Sequence, residues 1–203
     1  MDQHSIILRA ANPTFDEGLV FARYLDQAAE GFFRIMLGRH AADIIATVFT
    51  QPDHDYSFQN VVFAEYDKAI VGLASGFTAK LDRRFSDQPL RQAAGYRAWR
   101  MMCVARFGHP LLQIHSTLAD GDFYLLVLAV DKGLRGQGIG SALIDSTEDR
   151  ARASGSIRLA LDVSARNERA RRLYERRGLA VESRCPKHLV IPGFGLLRMT
   201  KTL

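Results

Sequence analysis

The stretch VDKGLRGQGIGS, residues 130–141, decides the fold because it joins an apolar strand to a helix through a turn rich in glycine. Residues 123–130 form a near-continuous apolar run, which is typical of a strand buried on both faces. Glycine lets the backbone approach a phosphate closely, and the unpaired N–H groups of a helix's first turn attract anions. The stretch therefore predicts an anion site between a buried strand and a helix over 138–153.

Two other phosphate-binding motifs do not fit this turn. A dinucleotide fingerprint, G-x-G-x-x-G, needs a third glycine, but Ser141 stands three residues after Gly138 and Leu143 three after Gly140. A Walker A loop ends in G-K-[ST], but Ile139 follows Gly138. The turn is therefore neither a dinucleotide site nor a nucleotide triphosphate loop of these kinds.

A second pattern follows at NERARRLYERRGL, residues 167–179. On a helix, Asn167, Ala170 and Tyr174 stand at i, i+3 and i+7 and share one face. Taken alone, Asn167 suits a helix N-cap and Tyr174 suits a core aromatic residue. The same face is apolar enough to require burial, which argues against a helix that binds nucleic acid.

Together the two patterns resemble the GCN5-related N-acetyltransferase (GNAT) family. Arg135, Gly138 and Gly140 match its acyl-CoA signature Q/R-x-x-G-x-G/A, and 167–179 matches its second signature, N-x-x-A-x-x-L-Y-x-x-x-G-[FL]. The resemblance covers about 123–181 and implies an acetyl-CoA-dependent enzyme that acetylates a primary amine of a small molecule or protein. It implies that loop amides hold the CoA pyrophosphate and that the preceding strand pairs with the pantetheine arm.

The resemblance also implies a set of site residues. The cofactor contacts would be Leu128, Ala129, Val130, Arg135, Gly136, Gln137, Gly138, Ile139, Gly140, Ser141, Asn167, Ala170 and Tyr174. In catalysis, a backbone N–H on the Val130 strand, kept free by a bulge, would meet the thioester oxygen. The Tyr174 hydroxyl would donate a proton to the departing sulfur.

The general base is left open. Many family members carry a Glu on the strand before the loop, but residues 122–127 read DFYLLV and contain none. The alternatives are Tyr124, which we include among the candidate catalytic residues, and Asp122, Glu65, His109 and His115. The missing Glu also allows a second function, a non-catalytic module that binds and senses acetyl-CoA.

The order of predicted elements indicates one mixed α/β domain, 1–203. The resemblance implies that this domain has the GNAT fold, a mixed, mostly antiparallel sheet of about seven strands flanked by helices. Apolar spacing predicts strands over 5–10, 58–66, 69–77, 157–163, 179–184, 189–190 and 196–202, with Thr14 capping a first helix that continues to near Gly38. Residues 78–119 predict a helical insert between strands 3 and 4, expected to form part of the acceptor site or a lid.

Composition narrows the partners. The 203 residues carry net charge +5 and two cysteines, Cys103 and Cys185, whose separation suggests neither a disulfide framework nor a zinc site. No apolar run is long enough to cross a bilayer, and no secretory signal starts the chain, so a cytoplasmic location is expected. We expect no metal, nucleic acid or membrane partner, and a homodimer is compatible with the final strands.

Overall fold

A seven-stranded sheet runs through the computed structural model, which describes residues 6–101, 118–185 and 195–203. Its strand order is β1-β2-β3-β4-β5-β7-β6. All neighbours are antiparallel except β4 and β5, which confirms the predicted mixed, mostly antiparallel sheet. The strands are β1 (Ile7–Ala10), β2 (Val61–Tyr66), β3 (Ala69–Thr78), β4 (Asp122–Val130), β5 (Arg158–Ser164), β6 (Ala180–Cys185) and β7 (Leu196–Thr202).

Helices cover both faces of the sheet. On one face α1 and α3 build a core around Phe21, Phe49 and Phe63, and on the other Leu143 and Leu159 belong to a second core. Both cores exclude water from large apolar side chains, which is the main source of stability. The helices are α1 (Phe15–Ala28), α2 (Phe32–Leu37), α3 (Ala41–Phe49), α4 (Ala79–Asp82), α5 (Gln88–Ala94), α6 (Ile139–Ala153) and α7 (Glu168–Arg176).

The first helix is shorter than the apolar spacing predicts. Thr14 caps it as expected, its hydroxyl accepting a hydrogen bond from the Glu17 N–H at 3.3 Å. However, the helix ends at Ala28, because Glu30 and Gly31 adopt φ values of 53° and 87°, in the left-handed region. The prediction of one helix to near Gly38 is therefore wrong: α2 is a separate helix.

Gly18 lets α1 and α3 approach closely. A Cβ at this position would lie 2.7 Å from the backbone oxygen of Ala46. We expect Gly18→Ala to lower the free energy of unfolding by about 1 to 3 kcal/mol, because the two helices must move apart. Urea unfolding would measure the loss, with Gly133→Ala as control, since a Cβ on Gly133 meets nothing within 4 Å. Equal stability of the two variants would contradict the close approach.

The segment between β3 and β4 is helical where the structure describes it. It contains α4, α5 and a helical turn over 98–101, which agrees with the predicted helical insert. Residues 102–117 lie outside the described residues, as do His109, His115 and Cys103. The strand predicted at 189–190 lies outside them too.

His54 is a buried histidine between α3 and β2. Its Nε2 lies 2.9 Å from the Val48 carbonyl oxygen, and its Nδ1 accepts a hydrogen bond from the Tyr56 N–H at 3.1 Å. These contacts suit a neutral ring protonated at Nε2. Burial lowers the pKa of His54 below its usual value near 6.5, despite the opposing hydrogen bond to Val48.

Protonation of His54 should therefore couple stability to pH. Below pH 6.5 the unfolded state binds a proton that the folded state resists, so stability falls as the pH drops toward the lower folded pKa. The slope for one such group reaches at most about 1.4 kcal/mol per pH unit. Unfolding curves from pH 8 to pH 5 should show a steeper loss in the wild type than in His54→Gln. Parallel curves for the two proteins would contradict this role.

Candidate active site

The parallel strands β4 and β5 separate halfway along their length. They pair from Asp122 opposite Arg158 to Leu125 opposite Leu161. Beyond those residues β4 continues to Val130 and β5 to Ser164, yet the two strands no longer pair with each other. The result is a wedge-shaped gap between their carboxyl ends.

A bulge in β4 stands where the gap begins. Ser75 of β3 pairs with Val127, but the next residue, Gly76, pairs with Leu125, so Leu126 is the extra residue. Leu126 and Val127 consequently both pack against the core on the α1 side. Leu128, one residue later, packs with the core on the α6 side. The bulge thus shifts, by one residue, which side chains in the carboxyl half of β4 face each of the two cores.

The backbone groups of two β4 residues point into the gap. The Asp131 N–H donates to the Val71 carbonyl at 2.8 Å, so Asp131 faces β3. Because backbone groups alternate sides along a strand, those of Ala129 also face β3, whereas those of Leu128 and Val130 face the gap. Arg135 Nε donates to the Val130 carbonyl at 3.0 Å from that side. The Val130 and Leu128 N–H groups therefore face the gap.

The glycine-rich turn lies in open space above the end of β4. Gly136 and Gly138 adopt φ values of 89° and 86°, and a Cβ on either would meet nothing within 4 Å. These two glycines therefore serve the backbone conformation rather than packing. Gly138 is the N-cap of α6 and supplies no side-chain cap to the N–H groups of Ile139, Gly140 and Ser141. An uncapped first turn of this kind suits an anion.

The start of this turn is held by α1. The buried Tyr24 hydroxyl donates to Asp131 Oδ1 at 2.8 Å, and Arg23 Nη2 lies 3.7 Å from the same oxygen. Asp131 thereby connects the glycine-rich turn to α1. No local sequence pattern indicates this contact, because Tyr24 and Asp131 lie more than a hundred residues apart.

The second signature forms α7, as predicted. Asn167 is its N-cap, with Oδ1 accepting from the Ala170 N–H at 3.1 Å. A Cβ on Gly140 would lie 3.4 Å from Leu173 Cδ2, so α7 packs tightly against the first turn of α6. The structure therefore brings the glycine-rich turn, the gap and α7 together.

Tyr174 is buried on the inner side of α7. Its side chain is 7% exposed, and no group among the described residues hydrogen-bonds to its hydroxyl. Burial raises the pKa of the Tyr174 phenol well above its usual value near 10. The phenol is therefore protonated across the neutral range, so it can donate a proton but cannot act as a base.

Tyr124 belongs to a buried polar cluster that ties three strands together. Its hydroxyl donates to Asp162 Oδ2 at 2.9 Å, and Arg198 binds both oxygens of Asp162 at 2.9 Å and 2.8 Å. Burial and the Asp162 charge raise the pKa of Tyr124 well above its usual value. At neutral pH Tyr124 has no phenolate to accept a proton, so this geometry disfavours it as the base. A lone carboxylate in an apolar strand, LALDVS, was the one available sequence signal for this cluster.

The other candidate bases that the structure describes are engaged elsewhere. Asp122 is 1% exposed and bound by Arg158, whose Nε and Nη2 lie 2.6 Å and 2.9 Å from its oxygens. Glu65 accepts from Arg9 Nε at 2.7 Å on β2, two strands away from β4. His109 and His115 fall outside the described residues. Neither of the two candidate carboxylates that the structure describes, Asp122 and Glu65, is therefore free to act as the base.

Over residues 6–101, 118–185 and 195–203, no three His, Cys, Asp or Glu side chains are grouped so that they could hold a metal ion. In that same part of the chain, no helix has the length and apolar character needed to cross a membrane.

Solved structures identify the class of protein to which this fold belongs. A structure described as an acetyltransferase matches with TM-score 0.68 and 25% identity, covering 97% of this chain and 98% of that one. An N-acetyltransferase from Staphylococcus aureus Mu50 matches with TM-score 0.67 and 16% identity, covering 96% and 100% of the two chains. The mixed sheet with its separated strands is thus an acetyltransferase fold.

The family model of the acetyltransferase (GNAT) family matches residues 27–179, and the chain belongs to this family. A mycothiol acetyltransferase from Beutenbergia cavernae is 48% identical over 60 residues, which are 30% of this chain. That match spans 20% of the length of the curated relative. Family membership and these relatives support acetyl transfer as the general activity.

Proposed function

We propose that this protein is an acetyl-CoA-dependent N-acetyltransferase that moves the acetyl group to a primary amine by direct attack. The observation that carries the proposal is the gap between β4 and β5, faced by the backbone groups of Leu128 and Val130, with Tyr174 buried in the apolar core that contains Val130. The uncapped turn of α6 at one end of the gap supplies N–H groups for the CoA pyrophosphate. The remaining cofactor contacts are Ala129, Arg135, Gly136, Gln137, Gly138, Ile139, Gly140, Ser141, Asn167 and Ala170.

Strand pairing explains how the gap would hold the pantetheine arm. The arm carries two amides, and β4 beyond Leu125 has lost the β5 partner that would otherwise fill its hydrogen-bonding edge. The amides can replace that strand, bonding to the gap-facing groups of Leu128 and Val130. The arm then places the thioester next to the bulge at Leu126.

The reaction needs one hydrogen-bond donor for the developing oxyanion and one for the departing sulfur. As the amine nitrogen bonds to the carbonyl carbon, negative charge grows on the oxygen, which a gap-facing backbone N–H on the Val130 strand beside the bulge can stabilise. The carbon–sulfur bond then breaks, and the electron pair leaves with sulfur as thiolate. The Tyr174 hydroxyl donates a hydrogen bond to that sulfur, and this hydrogen bond becomes stronger as negative charge develops on the sulfur. The nitrogen loses one proton to solvent and the thiolate takes one up, so the products are the N-acetylated amine and CoA.

The insert between β3 and β4 supplies part of the acceptor side in this proposal. Phe85 and Leu118 of the insert pack against the core formed by Phe77, Tyr124 and Ala160. That core adjoins the point where β4 and β5 separate. Substitutions in the insert should consequently change acceptor preference more than acetyl-CoA affinity.

The engaged carboxylates predict a preference among amines. At pH 7 a lysine-like ammonium with pKa near 10.4 costs about 4 to 5 kcal/mol to deprotonate, whereas an α-amino group near 8 costs about 1. Because Asp122 and Glu65 are both bound by arginine, neither is free to deprotonate the amine. We therefore expect higher kcat/KM for α-amino acceptors than for alkylamines in a panel of peptides, polyamines and aminoglycosides. Release of the free CoA thiol measures each rate. An alkylamine rate with an inflection near pH 6.5 would contradict this and indicate a histidine base.

The same assay tests the second function, a non-catalytic acetyl-CoA-binding module. That function is favoured by the engagement of Asp122, Glu65 and Tyr124. It predicts measurable heat on titration with acetyl-CoA but no amine-dependent thiol release across the panel. An enzyme releases thiol with at least one amine, and absence of binding would contradict both functions.

A further inference from the structure

Several arginines of α7 and its start carry positive charge with no acidic partner. Within the part of the chain that the structure describes, three exposed arginines on or beside this helix have no acidic partner: Arg166, Arg169 and Arg176. The other three are paired, Arg171 with Glu175, Arg172 with Glu168 and Arg177 with Asp145. The unpaired arginines therefore differ from their neighbours on the same helix.

Two of the three lie at the start of α7, the helix that contacts the first turn of α6 through Leu173. Leu173 faces Gly140, the second residue of α6. Arg169 stands four residues before Leu173, one helical turn closer to the start of α7 and on the same side. Arg166 immediately precedes the N-cap Asn167. Arg176 is seven residues beyond Arg169, about 10 Å further along the helix.

The acidic groups around this turn do not compensate the charge. Asp131 accepts from Tyr24, Asp145 pairs with Arg177, and Glu168 pairs with Arg172. Arg135, the charged residue of the turn itself, directs its Nε back to the Val130 carbonyl. The start of α7 and the glycine-rich turn therefore carry an excess of arginine, and each of these three carboxylates already has a partner.

We propose that Arg169, assisted by Arg166, binds the phosphate monoester on the ribose of CoA, the 3′-phosphate. This inference rests on the proposed function, because it adds a contact to the same bound molecule. The amides of the α6 first turn serve the pyrophosphate, so a second phosphate one ribose away needs other donors. A monoester carries close to two negative charges at pH 7, and a guanidinium binds such a group through two parallel hydrogen bonds.

Calorimetry with CoA and 3′-dephospho-CoA tests this contact, because the two ligands differ only in the phosphate. The wild type should bind CoA about 10- to 100-fold more tightly, the range expected for charge-assisted hydrogen bonds. In Arg169→Gln the ratio should fall, and in Arg166→Gln/Arg169→Gln it should approach about 3 or less. Affinity for 3′-dephospho-CoA should be unchanged in both variants.

Arg176→Gln is the matched control, since it removes the same charge from the same helix and breaks no ion pair. It should keep the wild-type ratio, because at physiological ionic strength its charge is screened over about 8 Å. Three results would overturn the inference: an unchanged ratio in the double variant, an equal loss in Arg176→Gln, or equal wild-type affinity for both ligands. In each case CoA still binds and the proposed function stands, whereas a wild type that binds neither ligand overturns both.

Discussion

Replacing Tyr174 by phenylalanine should lower kcat about 10- to 100-fold and leave the affinity for acetyl-CoA nearly unchanged. The expected loss is confined to kcat because the hydroxyl interacts with sulfur mainly when the sulfur becomes a thiolate. Before that point a thioester sulfur is a weak acceptor and gains little from the phenol. Binding therefore persists while the departure of sulfur slows.

The burial of Tyr174 strengthens this expectation. The phenol is 7% exposed, and burial raises its pKa well above the usual value. Full proton transfer from such a phenol to a thiolate is unfavourable, because the pKa of the corresponding thiol is near 8.5. The contribution of Tyr174 to kcat therefore stays within the range of one strengthened hydrogen bond. The same burial keeps the phenol protonated, so the rate should show no decline caused by Tyr174 as the pH rises from 7 to 9.

A second phenol provides the control for this experiment. Tyr66 ends β2, pairs with Ala69 of the hairpin and lies two strands away from β4. Tyr66→Phe loses the same hydroxyl and should keep kcat within about twofold of the wild type. Steady-state rates with calorimetric acetyl-CoA affinities would measure both variants. Full kcat in Tyr174→Phe, or a matching loss of binding, would remove this residue from the proton-donor role.

The sequence predicts those parts of the site that neighbouring residues determine. The turn at 130–141 and the helix that starts with Asn167 depend on glycine conformation, capping and helical spacing, which are local properties. Both are found where expected, and Asn167 acts as the N-cap that its position suggests. Seven of the eight strand signals correspond to strands of the sheet, and the eighth, 189–190, lies outside the described residues.

The features that create the gap depend on pairing between distant strands. The bulge at Leu126 arises because Ser75 and Gly76 pair with residues two apart, which no pattern within 122–130 indicates. A Cβ on Gly76 would lie 2.6 Å from Phe123 Cε1 and 2.7 Å from the backbone carbonyl oxygen of Tyr124. The register therefore also depends on a close contact between the two strands. Tyr124, Asp162 and Arg198 meet from three strands in the same way. Long-range contacts of this kind leave only weak traces in a single sequence.

The break after α1 has a different cause. The apolar spacing continues through the break into α2, so periodicity alone favours one helix. Local geometry overrides it, because the Gly31 N–H bonds to the Asp26 carbonyl at 2.8 Å and closes the helix. Gly31 was the available signal, since glycine is the usual residue at a helix C-terminus.

Replacing Arg158 by methionine should destabilise the protein by about 3 to 5 kcal/mol, the range for breaking a buried ion pair from one side. Arg158 binds both oxygens of Asp122 and, through Nη1, Glu182 at 2.6 Å. The Asp122 carboxylate is 1% exposed and would keep one bond, from the Ala119 N–H at 2.9 Å. The variant therefore leaves a nearly unpaired charge in the interior, at the closed end of the β4–β5 gap.

A double-mutant cycle separates the lost attraction from the stranded charge. Asp122→Asn/Arg158→Met removes both charges, so it should recover a large part of the stability lost in Arg158→Met alone. Arg172→Met, which breaks the exposed pair with Glu168, should cost under about 1 kcal/mol. If Arg158→Met cost no more than Arg172→Met, or if the double variant were the least stable, the pair would not hold the closed end of β4 against β5.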